Sequence, residues 1–356
     1  LLVLDCTKST RTMAALLMGC LHFDPDIRIC GVILNQVAGP RHEGKVRDNI
    51  KKFCDIPVFG AIPKLKSSDF PERHMGLVTS LEHGGSGEAI AAASSVICRH
   101  IDLDGLYRAM TTDAGPVAPQ APDLTAAPGA DAVAGSGRDC VTIGIVSDSA
   151  FQLYYPDNIH ALEALRADIV YISPLEQTRI PSVDAIYMGG GFPETHAPQL
   201  AANDGFRTHL SELSDQGLPI YAECGGFIFL GRSIRLKDVS YPMSGILPVT
   251  FGLSRRPQGH GYTEVEVAHD NPFYPKGERL RGHEFRYSKI LEIDYTDENM
   301  AFRMERGKGI LEKKDGFFKG STFGTYTHIH ALGTPSWAPS LVAMARAYKE
   351  GNRAGS

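Results

Sequence analysis

The sequence predicts an α/β protein of two three-layer domains, each with a mostly parallel sheet. Short, almost uniformly apolar segments alternate with longer helix-like segments in the first third of the chain, and the same alternation restarts after residue 138. Apolar strands separated by helices are typical of parallel sheets that are covered on both faces. Between the two halves, residues 108–138 are rich in Ala, Pro, Gly and Asp and have almost no large apolar side chain. That composition predicts a flexible linker, so the predicted domains are residues 1–107 and 139–350.

In the first domain, the pattern predicts strands and helices in alternation. They are a strand at Leu1–Asp5, a helix at Thr10–Cys20, a strand at Ile29–Leu34, a helix at His42–Phe53 and a strand at Pro57–Ile62. Ligands of such sheets bind beyond the carboxyl ends of the strands, which places Asp5, Asn35 and Pro63–Asp69 at the functional edge. Asp5 is there either a metal or nucleotide ligand or a helix N-cap.

The second domain repeats this order of elements. The predicted elements are strands at Val141–Val146, Ile169–Ile172, Ala185–Met188 and around Ile220, and helices at Asn158–Ala167 and Phe206–Gln216. Residues 239–326 are predicted to be richer in β-structure, with turns at Arg281-Gly282 and Lys314-Asp315-Gly316.

Composition excludes several classes of function. A net charge of −5 argues against nucleic acid as a partner, and no apolar run is long enough to span a bilayer. The seven cysteines form no CxxC pair and the thirteen histidines no H-E-x-x-H motif, so we expect no disulfide framework and no metal site. A reducing cytoplasm fits this cysteine usage. Because Leu1 opens inside an apolar strand pattern, we also expect that the chain is a fragment whose N-terminal part is missing.

The segment Tyr221-Ala222-Glu223-Cys224-Gly225-Gly226 has the pattern of a sharp strand-to-helix turn that holds a nucleophile. The glycines leave room for an incoming carbonyl group, and the backbone N–H after the cysteine can donate to an oxyanion. The N-terminus of the following helix favours a thiolate. A buried structural cysteine is the ordinary alternative, and it stands unless a second catalytic group is found.

A histidine near a strand end is the expected partner of such a cysteine. The segment Gly324–His330 supplies His328 and His330, which share one face if the segment is a strand. Without Cys224, two exposed loop histidines would be the simpler interpretation. A general base beside a thiol instead predicts acyl transfer through a thioester.

Several motifs in register identify the second domain more closely. Gly189–Glu194, Ala222–Gly226, Gly282–Ser288 and Thr327–His330 occur in that order, after Phe151–Asn158. Together they resemble the class I glutamine amidotransferase domain of the cobyrinic acid a,c-diamide synthase family. The resemblance covers the whole second domain.

The resemblance implies that Cys224 attacks the side-chain amide of glutamine and that His328 is the base that activates the thiol. Amidotransferases with a full triad carry Glu two positions after that histidine. His330 occupies the position here, which implies a Cys-His dyad. His330 and Glu223 are supporting candidates, although Glu223 is alternatively an elbow residue that caps backbone N–H groups.

Backbone N–H groups near Gly190 and Gly225 are the implied oxyanion hole, and each donor is worth about 3 kcal/mol of the barrier. His283 and Glu284 either orient the domain or touch substrate. Arg286 departs from the histidine that is more frequent in the family.

The first domain resembles the synthetase half of the same family, a P-loop fold related to dethiobiotin synthetase. The matching segments are Arg11–Leu16, Phe23–Arg28, Gly31–Asn35 and Pro71–Leu77. No G-x-x-x-x-G-K-[ST] motif occurs in the sequence, and Gly84-Gly85-Ser86-Gly87 lacks the required lysine. The resemblance implies ATP and Mg²⁺ as cofactors, bound mostly by residues upstream of this sequence, with Asn35 near the nucleotide base.

The resemblance therefore implies an ATP- and glutamine-dependent ligase that amidates the a and c carboxylates of cobyrinic acid. The expected partners are L-glutamine and a corrinoid, with a homodimer as an option and without nucleic acid or membrane. The same reaction on hydrogenobyrinic acid or nickel sirohydrochlorin is an alternative within the class. An amidotransferase-like binding module without catalysis is the alternative outside it.

Overall fold

The computed structural model describes residues 1–24, 26–65, 86–111 and 140–354, without the side chains of residues 86, 88, 89 and 354. The chain divides into two compact units between Gln120 and Ala121. Residues 108–111 of the expected linker belong to a helix, and the rest of that linker lies outside the described residues. The motif at 71–77 and the glycines at 84 and 85 also lie outside them, so the domain ranges remain predictions.

The first unit is a parallel sheet with helices, as the sequence predicts. Its strands, in the order of the sheet, are β1 (Leu2–Asp5), β2 (Val32–Val37) and β3 (Val58–Pro63). Its helices are α1 (Arg11–Phe23), α2 (Pro40–Phe53), α3 (Ser86–His100) and α4 (Leu103–Thr111). Leu4, Leu34 and Leu17 pack together in its core.

The edge of this sheet differs from the prediction at Asn35. Because β2 continues to Val37, Asn35 lies inside the strand and opposite Asp5 rather than after a strand end. Its Oδ1 accepts the N–H of Gln36 at 3.0 Å. Asp5 accepts the N–H of Thr7 at 2.8 Å and its hydroxyl at 2.5 Å, and these bonds lower the pKa of the Asp5 carboxyl. Asp5 therefore stabilises the turn after β1 and does not cap α1.

The second unit contains a ten-stranded mixed sheet among its described residues. The strands, in the order of the sheet, are β19 (His328–Ile329), β14 (Arg279–Arg286), β13 (Gly259–Val267), β16 (Met300–Arg306), β17 (Lys314–Lys319), β18 (Thr322–Thr325), β9 (Ile220–Glu223), β7 (Ala185–Met188), β4 (Val141–Val146) and β6 (Ala167–Ile172). The half from β18 to β6 is parallel, and the other half is an antiparallel extension.

Smaller sheets and the helices complete the unit. The pair β5 (Phe151–Leu153) and β8 (Gly190–Gly191) is antiparallel, and β10 (Ser233–Leu236), β11 (Val239–Pro242), β12 (Val249–Leu253) and β15 (Ser288–Ile293) form a separate sheet. The helices are α5 (Pro156–Ala164), α6 (Ala197–Ala202), α7 (Asp204–Asp215), α8 (Gly225–Leu230) and α9 (Trp337–Ala354). Within the residues placed by the structure, no helix is long and apolar enough to cross a membrane.

Alternation along β9 shows why this unit has three layers. Successive side chains of a strand point to opposite faces. Ile220 packs in one core with Phe206 of α7, whereas Tyr221 packs in the other core with Trp337 of α9. An apolar strand with helices on both faces confirms the predicted α/β class.

Three local predictions for this unit are wrong. The helix predicted to reach Ala167 ends at Ala164, because β6 already begins at Ala167. Arg281-Gly282 is not a turn but part of β14, where a Cβ on Gly282 would lie 2.3 Å from the carbonyl oxygen of His328. Residues 314–316 belong to β17, and the turn precedes them at residues 312 and 313, both with positive φ.

Candidate active site

Cys224 stands alone between β9 and α8 with a strained backbone. Its φ of 46° and ψ of −95° lie in a region that residues other than glycine rarely adopt. Its N–H donates to the carbonyl oxygen of Thr325 at 2.8 Å, and its own carbonyl oxygen accepts the N–H of Ile228 at 3.0 Å. The side chain is 9% exposed. The turn therefore holds one thiol in a fixed position at the end of a buried strand.

The glycines after Cys224 are required by the packing of a neighbouring loop. A Cβ on Gly225 would lie 2.7 Å from the backbone nitrogen of Gly191, and one on Gly226 would lie 2.7 Å from the carbonyl oxygen of Met188. The segment after β7 thus lies directly against the turn. This reason adds to the expected one, which was space for an incoming carbonyl group.

His328 lies in β19 and contacts the carboxylate of Glu223. Its Nδ1 is 3.2 Å from Oε2 of Glu223, and both side chains are buried. The other carboxylate oxygen, Oε1, accepts the N–H of Ile329 at 3.2 Å. Because Nδ1 is engaged by the carboxylate, Nε2 is the ring nitrogen left for the thiol of Cys224. Glu223 therefore orients the imidazole. It also accepts a backbone N–H, as the alternative interpretation of Glu223 as a capping residue predicts.

This contact places a carboxylate beside the imidazole of the expected Cys-His dyad. His330, at the position where a triad would carry Glu, lies outside β19. Its Nε2 is 3.5 Å from Oδ2 of Asp157, and its ring packs on Tyr155 with 4.6 Å between centroids. The carboxylate on His328 instead comes from the residue that precedes the cysteine. In the sequence, Glu223 stands out as a charged residue at the end of an otherwise apolar strand.

The surroundings of His328 favour its protonated form. Burial by itself lowers the pKa of His328, but hydrogen bonds and charge interactions with Cys224 and Glu223 outweigh it and raise that pKa to about 10. A protonated imidazole beside a cysteine is the ion-pair form in which cysteine nucleophiles attack. The site is thus suited to nucleophilic attack on a carbonyl carbon, followed by protonation of the leaving group.

Of the two residues expected to form the oxyanion hole, Gly190 borders His328 and Gly225 directly follows Cys224. The N–H of Gly226 already donates to the carbonyl oxygen of Gly189 at 3.1 Å, whereas for Gly225 N–H the described residues supply no acceptor. A Cβ on Gly190 would lie 2.8 Å from Cε1 of His328, so its backbone borders the imidazole. The role of both glycines as oxyanion donors remains a prediction.

Tyr154 holds the glycine-rich loop in place, a contact that the sequence did not reveal. Its hydroxyl oxygen accepts the N–H of Gly189 at 2.7 Å, and its hydroxyl group donates to the carbonyl oxygen of Val146. The loop after β7 is thereby tied to the end of β4. Backbone donors near Cys224 are fixed before any substrate binds.

Asp315 anchors the segment that leads into His328. The carboxylate is fully buried and accepts hydrogen bonds from the hydroxyl of Thr325 at 2.9 Å, the N–H of Tyr326 at 3.0 Å and the N–H of Thr327 at 2.9 Å. Because Asp315 was assigned to a turn, its role was missed.

Glu284 and Arg286 are buried in β14 and hold the backbone at residues 308 and 309. Glu284 is 2% exposed and accepts the N–H groups of Lys308 and Gly309. Arg286 donates to the carbonyl oxygen of Gly309 at 2.5 Å and lies 3.9 Å from the ring centroid of Tyr326. Of the two alternatives for Glu284, an orienting role fits this burial, and contact with substrate does not.

The described residues show no cluster suited to a metal ion, and the sequence lacks the usual phosphate-binding motif for ATP. Among the residues that the structure places, no group of three His, Cys, Asp or Glu side chains is arranged to hold a metal ion. The sequence also contains no phosphate-binding G-x-x-x-x-G-K-[ST] loop. Asn35 and Asp5 bond to neighbouring protein groups, as described above.

Replacing Glu223 with glutamine is expected to lower the pKa of His328, because an amide stabilises an imidazolium less than a carboxylate does. In the native protein the imidazolium is lost as the pH rises through about 10. In Glu223→Gln that loss moves to lower pH. NMR titration of protein labelled with ¹³C at histidine Cε1 measures both transitions, and the exposed Glu163→Gln is the control. If the transition did not move in Glu223→Gln, the carboxylate would not be what holds the imidazolium.

Comparison with known proteins places the chain among amidotransferases. The family described as CobB/CobQ-like glutamine amidotransferase domain matches residues 142–336. Cobyrinate a,c-diamide synthase of Magnetococcus marinus is 37% identical over 346 residues, which cover 97% of this chain and 73% of that protein. Cobyrinate a,c-diamide synthase of Archaeoglobus fulgidus is 35% identical over 344 residues, with 97% and 72% covered. The solved structure of PurLQS from Thermotoga maritima has a TM-score of 0.45 and 18% identity over 59% of this chain and all of that one.

Proposed function

The chain belongs to the cobyrinate a,c-diamide synthase family, and we propose that it amidates the a and c carboxylates of cobyrinic acid with ammonia taken from glutamine. The family resemblance that the motifs implied is thereby confirmed. The observation that carries the glutamine half is the buried arrangement of Cys224, His328 and Glu223, with His328 Nδ1 3.2 Å from the Glu223 carboxylate.

This arrangement supports the following hydrolysis of glutamine. The Cys224 thiolate attacks the side-chain carboxamide carbon, and the carbonyl oxygen becomes an oxyanion near the N–H groups of Gly190 and Gly225. The His328 imidazolium then gives its proton to the amide nitrogen, so the C–N bond breaks and ammonia leaves behind a glutamyl thioester. Neutral His328 next takes a proton from water, which attacks the thioester and releases glutamate. The thiolate and the imidazolium are restored.

The second half of the proposal is a ligase reaction. ATP, with Mg²⁺, would supply the activation of a ring carboxylate that lets ammonia form the amide. The support for it is the similarity to cobyrinate a,c-diamide synthases over nearly the whole chain, both units included. Asn35 as a nucleotide contact, the homodimer and the cytoplasmic location remain predictions.

A product assay tests this function. The protein is incubated with glutamine, ATP and Mg²⁺, together with cobyrinic acid or its cobalt-free analogue, and the ring is analysed by mass spectrometry. Two carboxylates of cobyrinic acid are expected to become amides, and Cys224→Ala is expected to form none from glutamine. Amides on the cobalt-free ring alone would shift the assignment to hydrogenobyrinic acid. Glutamine hydrolysis without an amidated ring would contradict the ligase half, and no hydrolysis at all would favour a binding module.

A further inference from the structure

A second imidazole stacks on the face of His328. The ring centroids of His283 and His328 are 4.8 Å apart, and the planes differ by only 18°. His283 is not among the groups used in the hydrolysis described above. It nevertheless covers one face of the ring on which both proton transfers depend.

The backbone explains why the two rings meet. His283 in β14 and His328 in β19 are directly opposite each other in an antiparallel pair. Side chains of opposite residues on one face of such a pair lie in contact. Gly282 lets the strands approach, because a Cβ there would lie 2.3 Å from the carbonyl oxygen of His328. The stack is therefore set by strand register and not by flexible side-chain packing.

Tyr155 fixes the second imidazole in turn. Its hydroxyl oxygen is 3.3 Å from Nδ1 of His283. Burial raises the pKa of Tyr155, so the phenol keeps its proton and can donate it to that nitrogen when Nδ1 carries no hydrogen. On its other side the Tyr155 ring packs on His330, whose Nε2 lies 3.5 Å from Asp157. His283 is thus held at its ring edge as well as by its strand.

The two imidazoles differ in charge at neutral pH. Burial, together with the charge of His328, lowers the pKa of His283 to about 4. His283 is therefore neutral where His328 is protonated, and the two rings do not repel each other. The face of a neutral aromatic ring attracts a cation. The stack consequently favours one ring plane for the imidazolium.

A cavity lies beside the two rings. It has a volume of about 540 Å³ and is lined by His283, His328, Tyr155 and His330, among others. Part of the surroundings of His328 is therefore open space rather than packed protein. His328 therefore needs a contact such as the His283 stack to fix the plane of its ring. Its other contacts include Cys224, Glu223 at Nδ1 and the backbone of Gly190 near Cε1.

We propose that His283 is a positioning residue of glutamine hydrolysis, whose flat ring, held by Tyr155, fixes the plane of His328 so that Nε2 faces Cys224. This inference rests on the proposed glutaminase function. In this role His283 acts through the ring of His328 and not by contact with glutamine. Its effect therefore falls on the proton transfers and not on substrate binding.

The test compares three variants of this residue in the full chain. His283→Phe keeps a flat ring, His283→Asn keeps a polar group without a ring, and His283→Ala keeps neither. Misplacement of a catalytic group by about 1 Å can lower the reaction rate about 100-fold. We therefore expect His283→Ala and His283→Asn to lower kcat for glutamine hydrolysis by about 10- to 100-fold. KM should stay near the wild-type value, and Phe should restore most of kcat. The exposed His160→Ala is the matched histidine control, and thermal unfolding identifies any variant that does not fold.

Each other outcome overturns the proposal. Wild-type kcat in His283→Ala would show that the ring is dispensable. Recovery in Asn but not in Phe would assign the effect to a hydrogen bond and not to the stack, and a raised KM with unchanged kcat would make His283 a substrate contact.

A spectroscopic measurement separates this proposal from the proposed function. The His328 Cε1–H proton belongs to a ring that stacks on His283. We expect its resonance upfield in the wild type and downfield of that position in His283→Ala. If glutamine is not hydrolysed but this shift is seen, the function fails while the ring geometry stands. If the shift is absent, the positioning role fails whatever the activity.

Discussion

Cys224→Ala is expected to lower the rate of glutamine hydrolysis by at least about 1,000-fold, because removing the nucleophile of a covalent mechanism leaves only binding and oxyanion stabilisation. The turn should still form, because alanine adopts the backbone conformation at this position at no greater cost than cysteine. The loss is therefore expected in a protein with native circular dichroism and an unchanged thermal midpoint. Glutamate release in a coupled assay measures it.

Cys140→Ala is the matched control, since Cys140 is an exposed thiol immediately before β4. Its hydrolysis rate should equal that of the wild type. Retained activity in Cys224→Ala, or an equal loss in Cys140→Ala, would show that the thiol at the turn is not the nucleophile.

His328→Ala is the second change with a large expected effect. A positioned acid or base contributes about 100- to 10,000-fold, and His328 serves as both in the proposed cycle, so we expect a loss in that range. His330→Ala should lower the rate only slightly, because His330 contacts Asp157 and Tyr155 rather than the reacting groups. The rate of thioester formation, followed after rapid mixing with glutamine, distinguishes the two variants.

The reverse result would identify His330 as the base and would contradict the geometry. Equal losses would implicate the contact of His330 with Tyr155 in the stack on His328. Thermal unfolding of both variants guards against a loss that arises from misfolding.

The strands of the parallel half were predictable, because each is a short apolar run with clear ends. The segment Ala185–Met188 was predicted with the bounds that the structure has. The antiparallel extension was less predictable, since Gly282 and Gly316 suggested turns. Gly282 allows two strands to approach closely instead, and Gly316, although it has a positive φ of 69°, lies within a strand. Whether a glycine forms a turn or allows two strands to approach depends on residues that are distant in sequence.

The candidate site shows the same division between local and distant information. The turn at Cys224 was predictable, because strand, nucleophile and glycines are neighbours in the sequence. The contact of Glu223 with His328 joins residues 105 positions apart, so no local pattern reveals it. His330 lines the same cavity as His328, although it does not share the strand that was expected to place both there. The strand that was to put it on one face with His328 ends at Ile329.

Covalent labelling tests the central claim, attack by Cys224 on glutamine, most directly. A glutamine analogue with a diazomethyl ketone in place of the amide forms a stable thioether with an attacking thiol. Peptide mass mapping after complete inactivation is expected to find the label on Cys224 alone, with glutamine slowing its incorporation. Label on another residue, or full glutaminase activity after Cys224 is labelled, would contradict the account.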